Sequence, residues 1–149
     1  MKVKEALDKE NAWYRIVDVP DHSSYDAFEE FIGEDVEAVV KTVMLKVKDG
    51  FMAFMVRKDQ LVDYKKLREI FGTKKLRMAN AEEVLEHAKS PPGSCCPLLV
   101  DTPLYIDPSL LNLGIIHLGS GSLKHGLEMK TEDLIRILKP EVLDVSMEK

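Results

Sequence analysis

Cysteine is scarce in this chain: Cys95 and Cys96 are the only two in 149 residues, and they are adjacent. Neighbouring cysteines rarely bridge, and two thiolates cannot complete a four-cysteine zinc site, so neither a disulfide framework nor that metal site is available. Amides are almost as rare, with Gln60 the sole glutamine and Asn11, Asn80 and Asn112 the asparagines. So few heat-labile side chains beside abundant Lys and Glu fit a chain suited to high temperature. No apolar run approaches the roughly 20 residues that cross a bilayer as a helix. Met1-Lys2-Val3-Lys4-Glu5 leads into no apolar core, so the reading is no secretory signal and no membrane. A cytoplasmic, reducing compartment with both thiols free is expected.

What is present belongs to a soluble globular class, with 45% hydrophobic and 32% charged residues. The length suits one domain over residues 1–149, burying about two-thirds of the unfolded chain's surface. The net charge of −5 argues against nucleic acid as a partner. The charge is unevenly spread, however. Residues 65–77 hold Lys65, Lys66, Arg68, Lys74, Lys75 and Arg77 against Glu69 alone. A phosphate backbone responds to a local basic patch, although a solvated helix face and turn would look the same.

The pattern of elements mixes helices and strands without βαβ alternation, which predicts an α+β fold with a mixed sheet. A short helix is expected over 2–10, a strand over 13–17, and a helix capped by Ser23 or Ser24 that carries Phe28, Phe31 and Ile32. Val39–Val47 alternates as a strand, Asp49-Gly50 signals a hairpin, and Phe51–Val56 is apolar on both faces, as a central strand would be. Leu61–Phe71 has helical spacing ended by Gly72, and Leu76–Met78 is a short strand. Asn80-Ala81-Glu82-Glu83 is a capping box opening a helix through His87. Short strands follow at 98–100, 104–106 and 115–118, and Thr131 is expected to cap a last helix ending before Pro140.

Three features bear on chemistry. Lys41 shares a strand face with Val39, Val43, Leu45 and Val47, where its ammonium would lose water. A lysine so placed can bind an anion, steady a developing negative charge or act as a base; its bland alternative is a stem on the sheet with the head in solvent. The loop Lys89–Pro97 holds Pro91, Pro92, Gly93 and Pro97, so it can aim successive N–H groups inward, or simply be a rigid turn. A Cys–His pair using Cys95 or Cys96 has no local signature among His22, His87, His117 and His125. The third feature, Gly119-Ser120-Gly121-Ser122 ahead of His125, lacks the lysine-threonine ending of a P-loop. His117, inside an apolar strand, reads as a structural histidine; His125, in the turn, is the better candidate for touching a ligand.

In this order and spacing, Val40-Lys41-Thr42-Val43-Met44-Leu45, Gly93-Ser94-Cys95-Cys96-Pro97, Leu104-Tyr105-Ile106-Asp107, Gly119-Ser120-Gly121-Ser122 and Thr131-Glu132-Asp133-Leu134 resemble the YbaK/ProX family of aminoacyl-tRNA deacylases. These are relatives of the editing domain of prolyl-tRNA synthetase, and the resemblance runs from about Tyr14 to Leu138. It implies a mixed, partly barrel-like sheet flanked by helices, and hydrolysis of the ester joining a wrong amino acid to tRNA, with no cofactor or metal. By that resemblance Lys41, Gly93, Ser94, Cys95 and Cys96 do the catalytic work, Lys41 orienting the substrate and the loop backbone receiving the ester carbonyl. His22, Thr42, Pro97, Gly119, Gly121, Ser122 and His125 would bind substrate. The partners implied are a misacylated tRNA and, secondarily, an aminoacyl-tRNA synthetase. One departure stands out: the family loop usually ends in glycine where this chain has Leu99. That residue favours an alternative, a non-catalytic module holding a small ligand or RNA end in the same pocket. A thiol-dependent enzyme is a third reading.

Overall fold

The alternating run around Lys41 forms the strand on which the rest of the sheet is organised. The computed structural model describes residues 2–19 and 33–149. Helix α1 (Lys2–Lys9) leads into β1 (Tyr14–Asp18); β2 (Val36–Val47) and β3 (Gly50–Arg57) form a hairpin, and β4 (Gln60–Val62) precedes α2 (Tyr64–Phe71). Then come β5 (Leu76–Met78), α3 (Ala81–Ala88), β6 (Leu104–Ile106) with a 3-10 turn at Pro108–Leu110, and β7 (Ile115–Gly119). Strand β8 (His125–Lys130), α4 (Thr131–Leu138), β9 (Glu141–Val142) and β10 (Ser146–Glu148) complete the order. The fold is α+β, with a mixed eight-stranded sheet ordered β1-β8-β7-β2-β3-β6-β9, β5 added to β2, and a separate β4–β10 pair. Four helices accompany it among the described residues.

Burial explains the layout. Strand β3 sits between β2 and β6, and its successive side chains feed opposite cores. Met55 joins Val40, Leu118, Leu127 and Leu134 on one side; Phe54 and Val56 join Leu45, Leu67 and Val145 on the other. Phe54 stacks on Tyr105 with ring centres 5.1 Å apart. Completely apolar alternation of this kind is what a strand covered on both faces requires.

Several local expectations change. Leu61 is not helical: it lies in β4 opposite Met147, and α2 begins after Asp63, whose side chain caps it by accepting from the Lys66 N–H. Helical spacing of apolar residues had concealed a strand of three residues. The hairpin turns through Lys48-Asp49, with the left-handed φ (+57°) at Lys48, because Gly50 already pairs with Val47. Residues 98–100 form no strand; the Leu99 N–H closes a turn on the Cys96 carbonyl at 3.0 Å. Thr131 does not cap α4, and its hydroxyl instead donates to the Gly114 carbonyl. The capping box of α3 is as read, with Asn80 and Glu83 bonding reciprocally at 2.9 Å. The helix expected around Phe28, Phe31 and Ile32 lies outside the described residues.

Candidate active site

Strand β2 changes partners part-way along one edge. It runs parallel to β7 as far as Val39, opposite His117, and meets antiparallel β5 only from Leu45. The Met44 carbonyl accepts from Ala79 N–H on that edge, and the Val39 carbonyl accepts from Lys58 N–H on the other. Backbone groups alternate sides along a strand, so those of Thr42 point into the interval between β7 and β5. A cavity of about 200 Å³ opens beside this stretch, lined by the consecutive residues Val39, Val40, Lys41 and Thr42. Four consecutive residues line one cavity when it lies at a strand's edge, since a face would supply alternate ones.

The opposite walls come from the other two segments singled out in the sequence. Gly93, Ser94 and Cys95 contribute from the proline-rich loop, and Gly119, Ser122 and His125 from the β7–β8 turn. Gly119 permits the two to meet: a Cβ there would stand 2.4 Å from the Cys95 carbonyl oxygen and 2.8 Å from that of Ser94. A second tie runs from the Gly121 N–H to the Ser94 carbonyl, 2.8 Å. Ser94 also folds back on its loop, its N–H and its hydroxyl both donating to the Pro91 carbonyl. His125 is held in the turn by Ser122, Oγ to Nδ1 3.0 Å.

Lys41 is half-buried and makes no ion pair among the described residues. Its ammonium is pushed below the ordinary lysine value, first by burial and then by the nearby charges of Lys149 and Lys58, with Asp59 opposing. Thr42 Oγ1 is buried and has no hydrogen-bond partner among the described residues. The thiols are raised rather than activated. Burial pushes Cys95 up to about 11 and Cys96 up to about 12, the Leu98 N–H only partly offsetting the latter. Neither is a thiolate near neutrality.

Of the remaining expected site residues, Cys96 is fully buried in the core, and Pro97 and Gly121 support the walls without lining the cavity. His22 lies outside the described residues. Leu99 also stays out of the cavity, packing on Gly121. Two polar lining residues were not among the expected site residues. Lys58 follows β3 and faces Val39, a placement that only the hairpin register discloses. His117 is buried and bonded, as a structural histidine would be, yet it also borders the cavity. The cavity-facing edge is invisible in an apolar strand pattern.

The basic residues divide into two groups. Lys65, Lys66 and Arg68 lie on α2, where Lys66 pairs with Asp144 at 3.2 Å. Lys74, Lys75 and Arg77 line a separate hollow of about 330 Å³ together with Lys46 and Lys48. Arg77 is engaged by both carboxylate oxygens of Glu83 at 2.7 and 2.9 Å, which together with the Asn80 N–H holds that carboxyl down to about 2.

Residues 19–137 match the aminoacyl-tRNA editing domain family. The chain belongs to that family. Curated relatives include the proline–tRNA ligases of Thermosipho africanus, 32% identical over 82 residues, and Shouchella clausii, 34% identical over 103 residues. Those alignments cover 55% and 68% of this chain but only 15% and 18% of the ligases. The chain therefore spans less than a fifth of the curated relatives it matches. Among solved structures, a protein proposed as a trans-editing enzyme for prolyl-tRNA synthetase superposes with a TM-score of 0.83 at 22% identity, over 98% of this chain and 95% of that one. This likeness extends the family's fold across the described sheet and helices.

Proposed function

We infer that this chain is an aminoacyl-tRNA editing deacylase, which hydrolyses the ester between an amino acid and a tRNA that should not carry it. The observation that carries the reading is the convergence of Lys41, the Gly93–Cys95 backbone and the Gly119–His125 turn on one cavity. An aminoacyl ester at the end of an RNA presents a phosphate, vicinal hydroxyls and a carbonyl whose oxygen gains charge during attack. Lys41, short of a carboxylate partner, suits the phosphate or that charge. The Gly93 and Cys95 N–H groups donate to no acceptor among the described residues, whereas the Ser94 N–H is already used on Pro91. The oxyanion role of the loop therefore falls to Gly93 and Cys95 in this reading, and Cys96 serves as core support. Thr42 Oγ1 is an unspent partner for a ribose hydroxyl. Water is the nucleophile, and catalysis rests on positioning and electrostatics without a metal.

Leu99 stays out of the cavity, so the departure from the family loop leaves its volume open. The lysines on α2 and in the second hollow would carry the tRNA backbone, Lys46 and Lys48 adding to Lys74 and Lys75. Arg77, committed to Glu83, contributes less. The test is a panel of mischarged tRNAs: at least one should lose its aminoacyl ester faster with the protein than without it. Stability of every ester in the panel would end the deacylase reading, and tight RNA binding without hydrolysis would establish the binding module instead. Neutralising Lys65, Lys66, Lys74 and Lys75 together should weaken tRNA binding and flatten its salt dependence.

A further inference from the structure

An apolar groove of about 640 Å³ opens on the face of β2 that carries Lys41 and Val43. Its other walls come from β5 and from the β4–β10 pair, which stands apart from the main sheet. Met78 of β5 pairs with Leu45 and so shares the face of Lys41 and Val43. Leu61 and Met147 are cross-strand partners in the β4–β10 pair. Asp63, Tyr64 and Lys65 enter from the start of α2. Among the described residues, Lys41 alone lines both this groove and the candidate active-site cavity.

Burial does not explain the apolar lining. Leu61, Met78 and Met147 are 43%, 60% and 45% exposed, so each gains little from the core. Adjoining apolar side chains left in solvent beside charged ones mark a binding surface. Tyr64 adds a half-buried aromatic ring. Positive charge gathers at Lys41 and Lys65, neither of which makes an ion pair among the described residues, and Lys58 and Lys149 act on Lys41 from nearby. The carboxylates are Asp59, held by Arg57, and Asp63, which accepts from the Lys66 N–H. Two polarisable methionines, an aromatic ring and these cations fit flat bases strung on phosphates. An apolar protein segment would cover the wall but leave both lysines without counter-charge.

We propose that this groove holds the unpaired base preceding the esterified nucleotide of the RNA, with Lys41 on the phosphate that joins the two. The inference rests on the deacylase reading and gives it a second contact with the same strand end. Successive nucleotides share one phosphate, so a cation common to two cavities sorts its neighbours. The esterified ribose lies in the cavity of the candidate active site, and the preceding base lies among Leu61, Tyr64, Met78 and Met147. Stacking of this kind tolerates any base. The groove therefore supplies affinity and placement of the ester, and not sequence discrimination.

Two hairpin RNAs ending in an unpaired, unacylated CCA supply the test, one complete and one lacking the base of the penultimate nucleotide. In fluorescence anisotropy at fixed salt, the complete RNA should bind the wild-type protein about five- to a hundredfold more tightly than the abasic one. Leu61→Ser combined with Met78→Ser, both at exposed positions, should remove most of that difference while leaving the abasic RNA bound as by wild type. Equal affinity of the wild type for the two RNAs, or a difference untouched by the double variant, overturns the proposal. A concentration-dependent dimer abolished by the double variant would show that a second copy covers the groove, and overturns it as well. Should the double variant not fold, photoreactive 5-iodocytidine at the penultimate position decides in the wild type. Cross-links within residues 61–65, or to Met78 or Met147, support the slot, and cross-links elsewhere overturn it. Neither RNA carries an ester, so base-dependent binding would stand even if the mischarged-tRNA panel showed no cleavage. Cleavage with base-independent binding ends this proposal alone.

Discussion

Leu99 occupies the space that a side chain at Gly121 would need: its Cδ1 lies 2.6 Å from where a Cβ would stand, and Gly121 has a φ of +89°. Gly121→Ala therefore meets both a clash and a backbone conformation that L residues rarely adopt, and should cost about 1–3 kcal/mol. Leu99→Ala removes the clash but leaves the φ penalty. In urea unfolding the double variant should recover part of the loss, whereas strict additivity would mean that the two residues do not press on one another.

Lys41→Ala should abolish hydrolysis while leaving the unfolding free energy within about 1 kcal/mol of wild type, because a half-buried lysine with no ion pair among the described residues adds little to stability. Its lowered pKa also sets a direction with pH. The ammonium is lost on raising the pH through a value below the ordinary lysine value of 10.5, so activity should fall at that alkaline limb. A limb at or above the ordinary value, or full activity in Lys41→Ala, would remove the assigned role.

The thiols should be passive. With Cys95 pushed up to about 11 from an ordinary 9.0, its alkylation near neutral pH should run about a hundredfold slower than that of an ordinary exposed thiol. Cys95→Ala should retain most of the hydrolysis, because only the backbone of that residue is asked to act. Loss of turnover in Cys95→Ala with binding of a non-hydrolysable 3′-amide analogue of the aminoacyl-tRNA intact would revive the thiol-dependent enzyme.

Asp107 ties the chain's end to the sheet. Its carboxylate accepts from the Val145 and Ser146 N–H groups at 3.2 Å and from the N–H and hydroxyl of Ser109. Burial acts to raise its pKa, but these donors outweigh burial and hold it below the ordinary carboxylate value. A depressed folded pKa gives stability that is present above the unfolded value of about 3.9 and lost as the pH falls below it. Asp107→Asn should cost about 1–3 kcal/mol at pH 7 and should flatten the stability–pH slope in that acid window. An unchanged slope would show that the four bonds do not favour the charged form.

The strand bearing Lys41, the loop at Gly93 and the turn at Gly119 were legible because each rests on local chemistry: alternation, proline and glycine geometry, and a run of small residues. The α3 capping box was legible for the same reason. What escaped depends on pairing between distant segments. Leu61 has a helix-like neighbourhood in sequence and becomes a strand residue only because Met147 lies opposite it. Lys58 reaches the cavity through hairpin register, and His117 through the meeting of β7 with β2. Glu128 sits in a strand whose other residues are largely buried, and its pairing with Arg15 cannot be inferred from neighbours 113 residues away.

The partner change along β2 has a consequence for folding. The cavity's walls come from residues 39–42, 93–95 and 117–126, and they join through the parallel β2–β7 pair and the bond from the Gly121 N–H to the Ser94 carbonyl. No contiguous stretch of chain can form the site by itself, so its assembly requires the loop closures that make non-local topologies slow. Amides flanking the cavity should then exchange with solvent chiefly through opening of the whole sheet, leaving the pocket without a low-energy unfolding route of its own.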